Sequence, residues 1–240
     1  MPEPSVTAQR VAFGASGHHG SALNGSFNEA HALSISQAIC DYRNRQGIYG
    51  PVFLGIDTSP LSTLAFATSL EVLAANGVEV LVASNDMWIP ARAVSCAILT
   101  YNLGRAIALA DGIVIAPSHD PPEDGGFKYT LPNGSSPDIH ATRWIDTAAN
   151  EYLRWGSRSV RRLSYEQALA ASTTHGAALL ASKLASADCI RRIREVANRG
   201  MSRVRFLGEQ QAVSQRVLAQ AESRGRRQRR ARRRGESRVP

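Results

Sequence analysis

Lysine is nearly missing from this chain. Of 28 basic residues among 240, only Lys128 and Lys183 are lysines. Cysteine is scarce too: Cys40, Cys96 and Cys189 are odd in number, far apart, and form no C-x-x-C pair. That excludes a disulfide scaffold and a zinc knuckle, and makes the cytoplasm the expected compartment. No apolar run approaches the ~18 residues of a membrane span, so no membrane partner is expected. The opening MPEPSVTAQR has no apolar stretch of the secretory kind. There is no D-x-D-x-D cluster for a divalent cation, no P-loop, no G-x-G-x-x-G and no G-x-S-x-G.

What is present is a globular composition, 43% apolar and 20% charged, in a chain long enough for one or two domains with a real core. The formal net charge of +8 hides an asymmetry. Residues 1–153 hold 7 Lys and Arg against 14 Asp and Glu, a net −7, and residues 154–240 carry +15. An acidic body therefore precedes a basic tail.

In the body, residues 51–57 (PVFLGID) form a short β-rich apolar run and predict a buried strand. Leu61 to Asn76 has helical spacing, with Phe66, Leu70, Leu73 and Gly77 in phase and Asn76-Gly77 as a stop. Residues 78–83 predict a second strand. Residues 90–110 predict a helix with Val94, Ile98, Tyr101 and Arg105 on one side. Asp111-Gly112 is expected as a turn before a strand at 112–116. Further helices are expected at about 27–46 and 137–155, the latter with Ile145, Ala148, Ala149 and Tyr152 on one face and Pro137 at its start. This alternation predicts βαβ units: a three-layer α/β/α fold on a largely parallel, mixed sheet, plus a basic C-terminal tail.

Ligands of such sheets bind outside the carboxyl ends of the strands. The loop expected there, 117–126 (PSHDPPEDGG), is stiffened by three prolines and opened by two glycines. It carries Ser118 and His119. Ser118 fits a nucleophile or phosphoryl carrier, or an ordinary turn serine, and His119 fits a surface histidine equally well. Lys128 fits a phosphate-binding cation or a solvated lysine. A second glycine-rich stretch, 14–20 (GASGHHG), reads as a turn; adjacent His18 and His19 lack partners at metal-ligand spacing. In the tail, residues 224–238 hold nine Arg and one Glu with no aromatic among them. That suits sequence-independent phosphate-backbone binding, steeply salt-dependent; a shifted reading frame of G+C-rich DNA competes with it, and the near absence of lysine favours the latter.

Taken together, 11–20 (VAFGASGHHG), 21–30 (SALNGSFNEA), 54–57 (LGID), 112–129 (GIVIAPSHDPPEDGGFKY) and 164–175 (SYEQALAASTTH) resemble the bacterial α-D-glucose-specific phosphoglucomutases of the α-D-phosphohexomutase family. The resemblance runs from about Val11 to His175 and stops abruptly. It implies a family domain at 11–160 after an extension at 1–10, the start of a second domain or a linker at 161–187, and a divergent tail at 188–240, disordered or loosely helical. It implies interconversion of glucose 1-phosphate and glucose 6-phosphate through a phosphoserine and a glucose 1,6-bisphosphate intermediate, which also serves as activator. Ser118 is the implied phosphoryl carrier, with His119 and Lys128 as catalytic companions. Ser16, Gly17, His18, His19 and Gly20 are the implied substrate-binding residues. Mg²⁺ is the implied cofactor, touching Ser118 through its phosphate; the family's aspartate loop has no counterpart here.

Four departures fall at sensitive places. The family's Thr-Ser-Gly-His-Arg-Gly is Ala15-Ser16-Gly17-His18-His19-Gly20, and its Thr-x-Ser-His-Asn-Pro has Ala116 and Asp120. A guanidinium and two hydroxyls are lost, and a negative charge is added beside the carrier. The expectation is an incomplete, inactive fragment, unless a complementing C-terminal chain supplies the rest. The alternative is a degenerate, non-catalytic sugar-phosphate domain with a nucleic-acid-binding tail.

Overall fold

The structure, a computed structural model, describes residues 2–14, 16–82, 91–117 and 124–172. All lie within the unit Met1–Ile193. The expectations for the segment 83–90, for Ser118 and His119, and for the whole Arg-rich tail fall outside these residues.

Among the described residues, five strands and five helices follow in the order β1 (His18–Ser21), α1 (Glu29–Gln46), β2 (Val52–Ile56), α2 (Pro60–Ala75), β3 (Val80–Leu81), α3 (Ala91–Asn102), β4 (Asp111–Ile115), β5 (Asp124–Thr130), α4 (Ile139–Arg154) and α5 (Tyr165–Ser172). The sheet order is β1-β5-β4-β2-β3. β2 is parallel to β3 and β4, as the βαβ pattern requires, and β5 is antiparallel to β4 and β1. The connection from β4 to β5 is too short for a crossover, so β5 has to turn back on its neighbour.

Side-chain alternation splits the core in two. Ile113 and Ile115 of β4, with Val52, Leu54, Phe127 and Tyr129, face α1, α2 and α4, whose Ile35, Leu70 and Ile145 are fully buried. On the opposite face Phe53, Leu81 and Val114 pack against Val94 and Ile98 of α3. The result is the three-layer α/β/α arrangement.

Several boundaries differ from the expectation; the strand expected at 78–83 is confined to Val80–Leu81. α3 ends at Asn102, not near 110. The Asn102 side chain donates to the Ala110 and Pro132 carbonyls, both at 2.8 Å, and accepts from the Ala110 N–H at 2.7 Å, so it holds the returning chain instead of prolonging the helix. α4 starts after Pro137, because the Asp138 carboxylate caps it by accepting from the Ala141 N–H at 2.8 Å. Asp111 is not a turn residue; it opens β4 and is fully buried. Its Oδ2 accepts from Arg43 Nε at 2.9 Å and from the Tyr129 hydroxyl, while Arg43 also donates to the Gly50 carbonyl. Burial pushes the Asp111 carboxyl up to about 6, against the opposing pull of Arg43 and Tyr129. Its Oδ1 has no hydrogen-bond partner among the described residues.

Candidate functional site

Three strands bring the sequence motifs to one corner of the sheet. β4 carries the chain toward Ser118; its last described residues are Ala116 and Pro117, and the Ala116 N–H donates to the Gly126 carbonyl at 2.9 Å. β5 returns through Gly125 and Gly126. β1 lies beside β5 with His19 opposite Gly126 and Gly20 opposite Gly125. Gly126 has to be glycine for reasons of space: a β-carbon there would collide with the Ala116 carbonyl and press on the His19 ring. The 14–20 stretch and the strand leading to Ser118 are therefore in contact through a backbone without side chains.

Gly17 is held at φ +94°, and a β-carbon on it would strike the Phe127 carbonyl and the Lys128 side chain. The loop closes on itself there, since Gly14 N–H donates to Gly17 O at 3.1 Å and Gly17 N–H to Gly14 O at 2.9 Å. Lys128 is half-buried on β5 and paired with Val114, so it stands on the α3 face of the sheet with its stem along Gly17. His19 shares that face. Its Nε2 donates to the Ser16 carbonyl at 2.9 Å and its Nδ1 is buried. Ser16 is exposed, and Gly20 packs against the Ser26 backbone. Gly17, His19 and Lys128 are thus brought together.

His18 stands apart, because the strand alternation turns it inward. It is 2% exposed and stacks between Phe27 at 6.0 Å and His31 at 5.2 Å, centroid to centroid. A carbonyl only accepts and an amide only donates, so Nε2 donates to Ser26 O at 3.0 Å and Nδ1 accepts from the Ala12 N–H at 3.3 Å. Both ring nitrogens are engaged by the backbone. Burial, then the neighbouring His31, lowers the His18 pKa to about 4; burial also lowers that of His31. A group whose folded pKa lies below its unfolded value of 6.5 contributes stability above that value and loses it as the pH falls toward 4. Urea unfolding is expected to show about 2–3 kcal/mol lost to His18 between pH 7 and 4.5. His18→Leu cannot titrate, so a variant with the wild-type pH slope would refute this.

Sequence reasoning missed the residues of α4 that hold the chain before this loop. Asn150 accepts from the Val11 N–H and donates to the Val11 carbonyl, both at 2.9 Å, and Asp146 accepts from the Phe13 N–H. The available signal was two polar residues four apart beside the apolar pair Ile145 and Ala149. Among the described residues no group of three or more His, Cys, Asp or Glu could hold a metal ion. An open groove lined by Pro2, Glu3, Trp155 and Arg158, at the far end of α4, contains none of the candidate residues.

Comparison with known proteins accounts for this arrangement. Residues 10–154 match the family described as phosphoglucomutase/phosphomannomutase, alpha/beta/alpha domain I. The chain is 56% identical over 173 residues to a phosphoglucomutase of Komagataeibacter xylinus, covering 72% of this chain and 31% of that protein. It is 35% identical over 152 residues to a phosphoglucosamine mutase of Bordetella avium, covering 61% of this chain and 32% of that one. In fold it is similar to a Thermus thermophilus protein assigned as a phosphomannomutase, with a TM-score of 0.51 at 23% identity over 62% of this chain and 30% of that one. The chain thus spans about a third of the length of the curated relatives it matches. With the matched region covering the sheet, the glycine corner and Lys128, the chain belongs to the phosphoglucomutase/phosphomannomutase family, whose α/β/α domain I it contains.

Proposed function

We propose that this domain is the phosphoserine-bearing part of a phosphoglucomutase that interconverts glucose 1-phosphate and glucose 6-phosphate in the cytoplasm. The supporting observation is the 56% identity over 173 residues to a phosphoglucomutase, in a chain whose family-matched residues 10–154 include the 14–20 loop, Lys128 and the strand leading to Ser118. Phosphorylated Ser118 gives its phosphoryl group to the free hydroxyl of a glucose monophosphate. The Ser118 oxygen–phosphorus bond breaks as the new one forms, and glucose 1,6-bisphosphate results. After reorientation the other phosphoryl group returns to Ser118, so no phosphate is consumed. Lys128 supplies a cation close to the loop, where it offsets phosphate charge. His119 is the second candidate at the reacting centre, and Ser16, Gly17, His19 and Gly20 line the sugar-phosphate side. The carry-over of Mg²⁺ rests on family membership, and when bound it would offset charge on the transferring phosphoryl group.

The test is a graft. Residues 10–160 replace the matching part of the Komagataeibacter xylinus phosphoglucomutase, and glucose 1-phosphate conversion is followed with Mg²⁺ and glucose 1,6-bisphosphate. A folded graft that binds glucose 1-phosphate but never turns it over would refute the enzyme reading and favour the non-catalytic sugar-phosphate domain. His19→Arg in this graft is expected to raise kcat/KM ~10-fold or more, since one charge-assisted hydrogen bond supplies about 1.5–3 kcal/mol. The present ring spends Nε2 on Ser16 and buries Nδ1, whereas a guanidinium has donors to spare. An unchanged or lower kcat/KM would contradict that role for position 19.

A further inference from the structure

We propose that Asp146 and Asn150 are positioning residues that hold the 14–20 loop in its ligand-receiving shape; the identity of that ligand as a sugar phosphate rests on the function proposed above. Val11 and Phe13 are 1% and 3% exposed, yet residues 11–13 belong to no strand. Their backbone donors must still be paired, because water does not reach them. Three successive N–H groups are each accepted by a side chain: Val11 by Asn150 Oδ1 at 2.9 Å, Ala12 by His18 Nδ1 at 3.3 Å, and Phe13 by Asp146 Oδ1. Asn150 also returns a hydrogen bond to the Val11 carbonyl at 2.9 Å, so one carboxamide does for Val11 what a neighbouring strand would do. Asp146 and Asn150 sit one turn apart on α4 and so grip alternate residues of the extended segment.

The loop inherits its placement from this grip. Its first residue, Gly14, follows Phe13 directly and closes the turn by exchanging hydrogen bonds with Gly17. Gly17 in turn lies on Phe127 and Lys128. Freeing residues 11–13 leaves Gly14 with no fixed point on one side. The carboxylate of Asp146 acts here as a hydrogen-bond acceptor, which an asparagine can replace.

The experiment uses the full 240-residue chain and two readouts: amide exchange at residues 11–20, and binding of glucose 1-phosphate by calorimetry. The variants are Asn150→Leu, Asp146→Leu and Asp146→Asn. The control is Tyr152→Phe, which removes a 2.6 Å bond to Asp41 from the same helix. Both leucine variants are expected to speed exchange at 11–20 relative to the remaining core, and to weaken glucose 1-phosphate binding ~10-fold, the equivalent of about 1.4 kcal/mol. Asp146→Asn is expected to match the wild type in both. Tyr152→Phe should lower stability without either effect. Exchange at 11–20 that stays in step with the core in the leucine variants would overturn the proposal. So would an affinity loss of equal size in Tyr152→Phe. If Asn150→Leu fails to fold, Asn150→Asp, which keeps the acceptor for Val11 and loses the donor, is read in its place. If the wild-type chain takes up no glucose 1-phosphate, its role as the ligand held by this loop in the isolated chain is overturned, the graft remains the test of the proposed function, and the exchange data alone decide whether Asp146 and Asn150 hold the loop.

Discussion

Turnover in the grafted enzyme is expected to fall at least ~10³-fold when Ser118 is replaced by alanine, because the phosphoryl group then has no carrier. The same variant should still bind glucose 1-phosphate within a few-fold of the parent, since the 14–20 loop and Lys128 remain. In contrast, the 240-residue polypeptide assayed by itself is expected to give only background. It spans 31% of the relative's length, and phosphoryl transfer depends on positioning and charge neutralisation rather than on one reactive group. Loss of a single charge-stabilising donor costs ~10²–10³ in rate, so losing several takes the reaction to background. Ser118-dependent turnover by the polypeptide alone would show that these 240 residues carry the whole of the machinery. Turnover in the graft that survives Ser118→Ala would remove Ser118 from the mechanism.

Arg43→Met is expected to cost about 3–5 kcal/mol at pH 7.5, the usual result of leaving one charge of a buried pair uncompensated. Arg43 is 3% exposed and Asp111 is fully buried, so water cannot replace the guanidinium. Asp111 already titrates above its ordinary value of 3.8, at about 6, because burial disfavours its charge. A group with a raised folded pKa contributes stability that is complete below its unfolded value and lost as the pH rises through the folded value. Removing Arg43 raises that folded value further. The penalty of Arg43→Met should therefore shrink as the pH falls from 7.5 toward 5, where Asp111 becomes neutral and needs no counter-ion. Chemical denaturation of both proteins across this range gives the answer, and a penalty independent of pH would show that Arg43 acts through packing alone. Replacing Arg43, Asp111 and Tyr129 together by apolar residues of similar volume should recover most of the loss.

The succession of strand and helix from β2 to β4 was legible in the sequence because each element carries its own periodicity. Leu70 and Leu73 recur at helical spacing on α2 and are fully buried, and Leu54 lies in an apolar run that becomes a parallel strand. The chemistry-bearing stretches were legible as motifs: glycines at 14, 17, 20, 125 and 126 around a proline-stiffened loop. β1 and the start of β5 were not legible. His-His-Gly-Ser and Asp-Gly-Gly have no intrinsic preference for a strand, and they become strands only because each finds a partner's open hydrogen-bonding edge.

The same limit applies to individual side chains. His18 and His19 are identical in sequence terms, yet alternation along β1 sends one into the core against Phe27 and His31 and the other to the face that carries Lys128. Asp111 looked like a turn residue until Arg43, 68 positions away, met it in the interior. Asn150 and Asp146 hold backbone 139 and 133 positions away. Local composition determines which elements can form and where glycine must stand. Which polar groups are buried, and against whom, is decided when elements distant in the chain pack, because a buried hydrogen bond is favourable only once its partner has arrived.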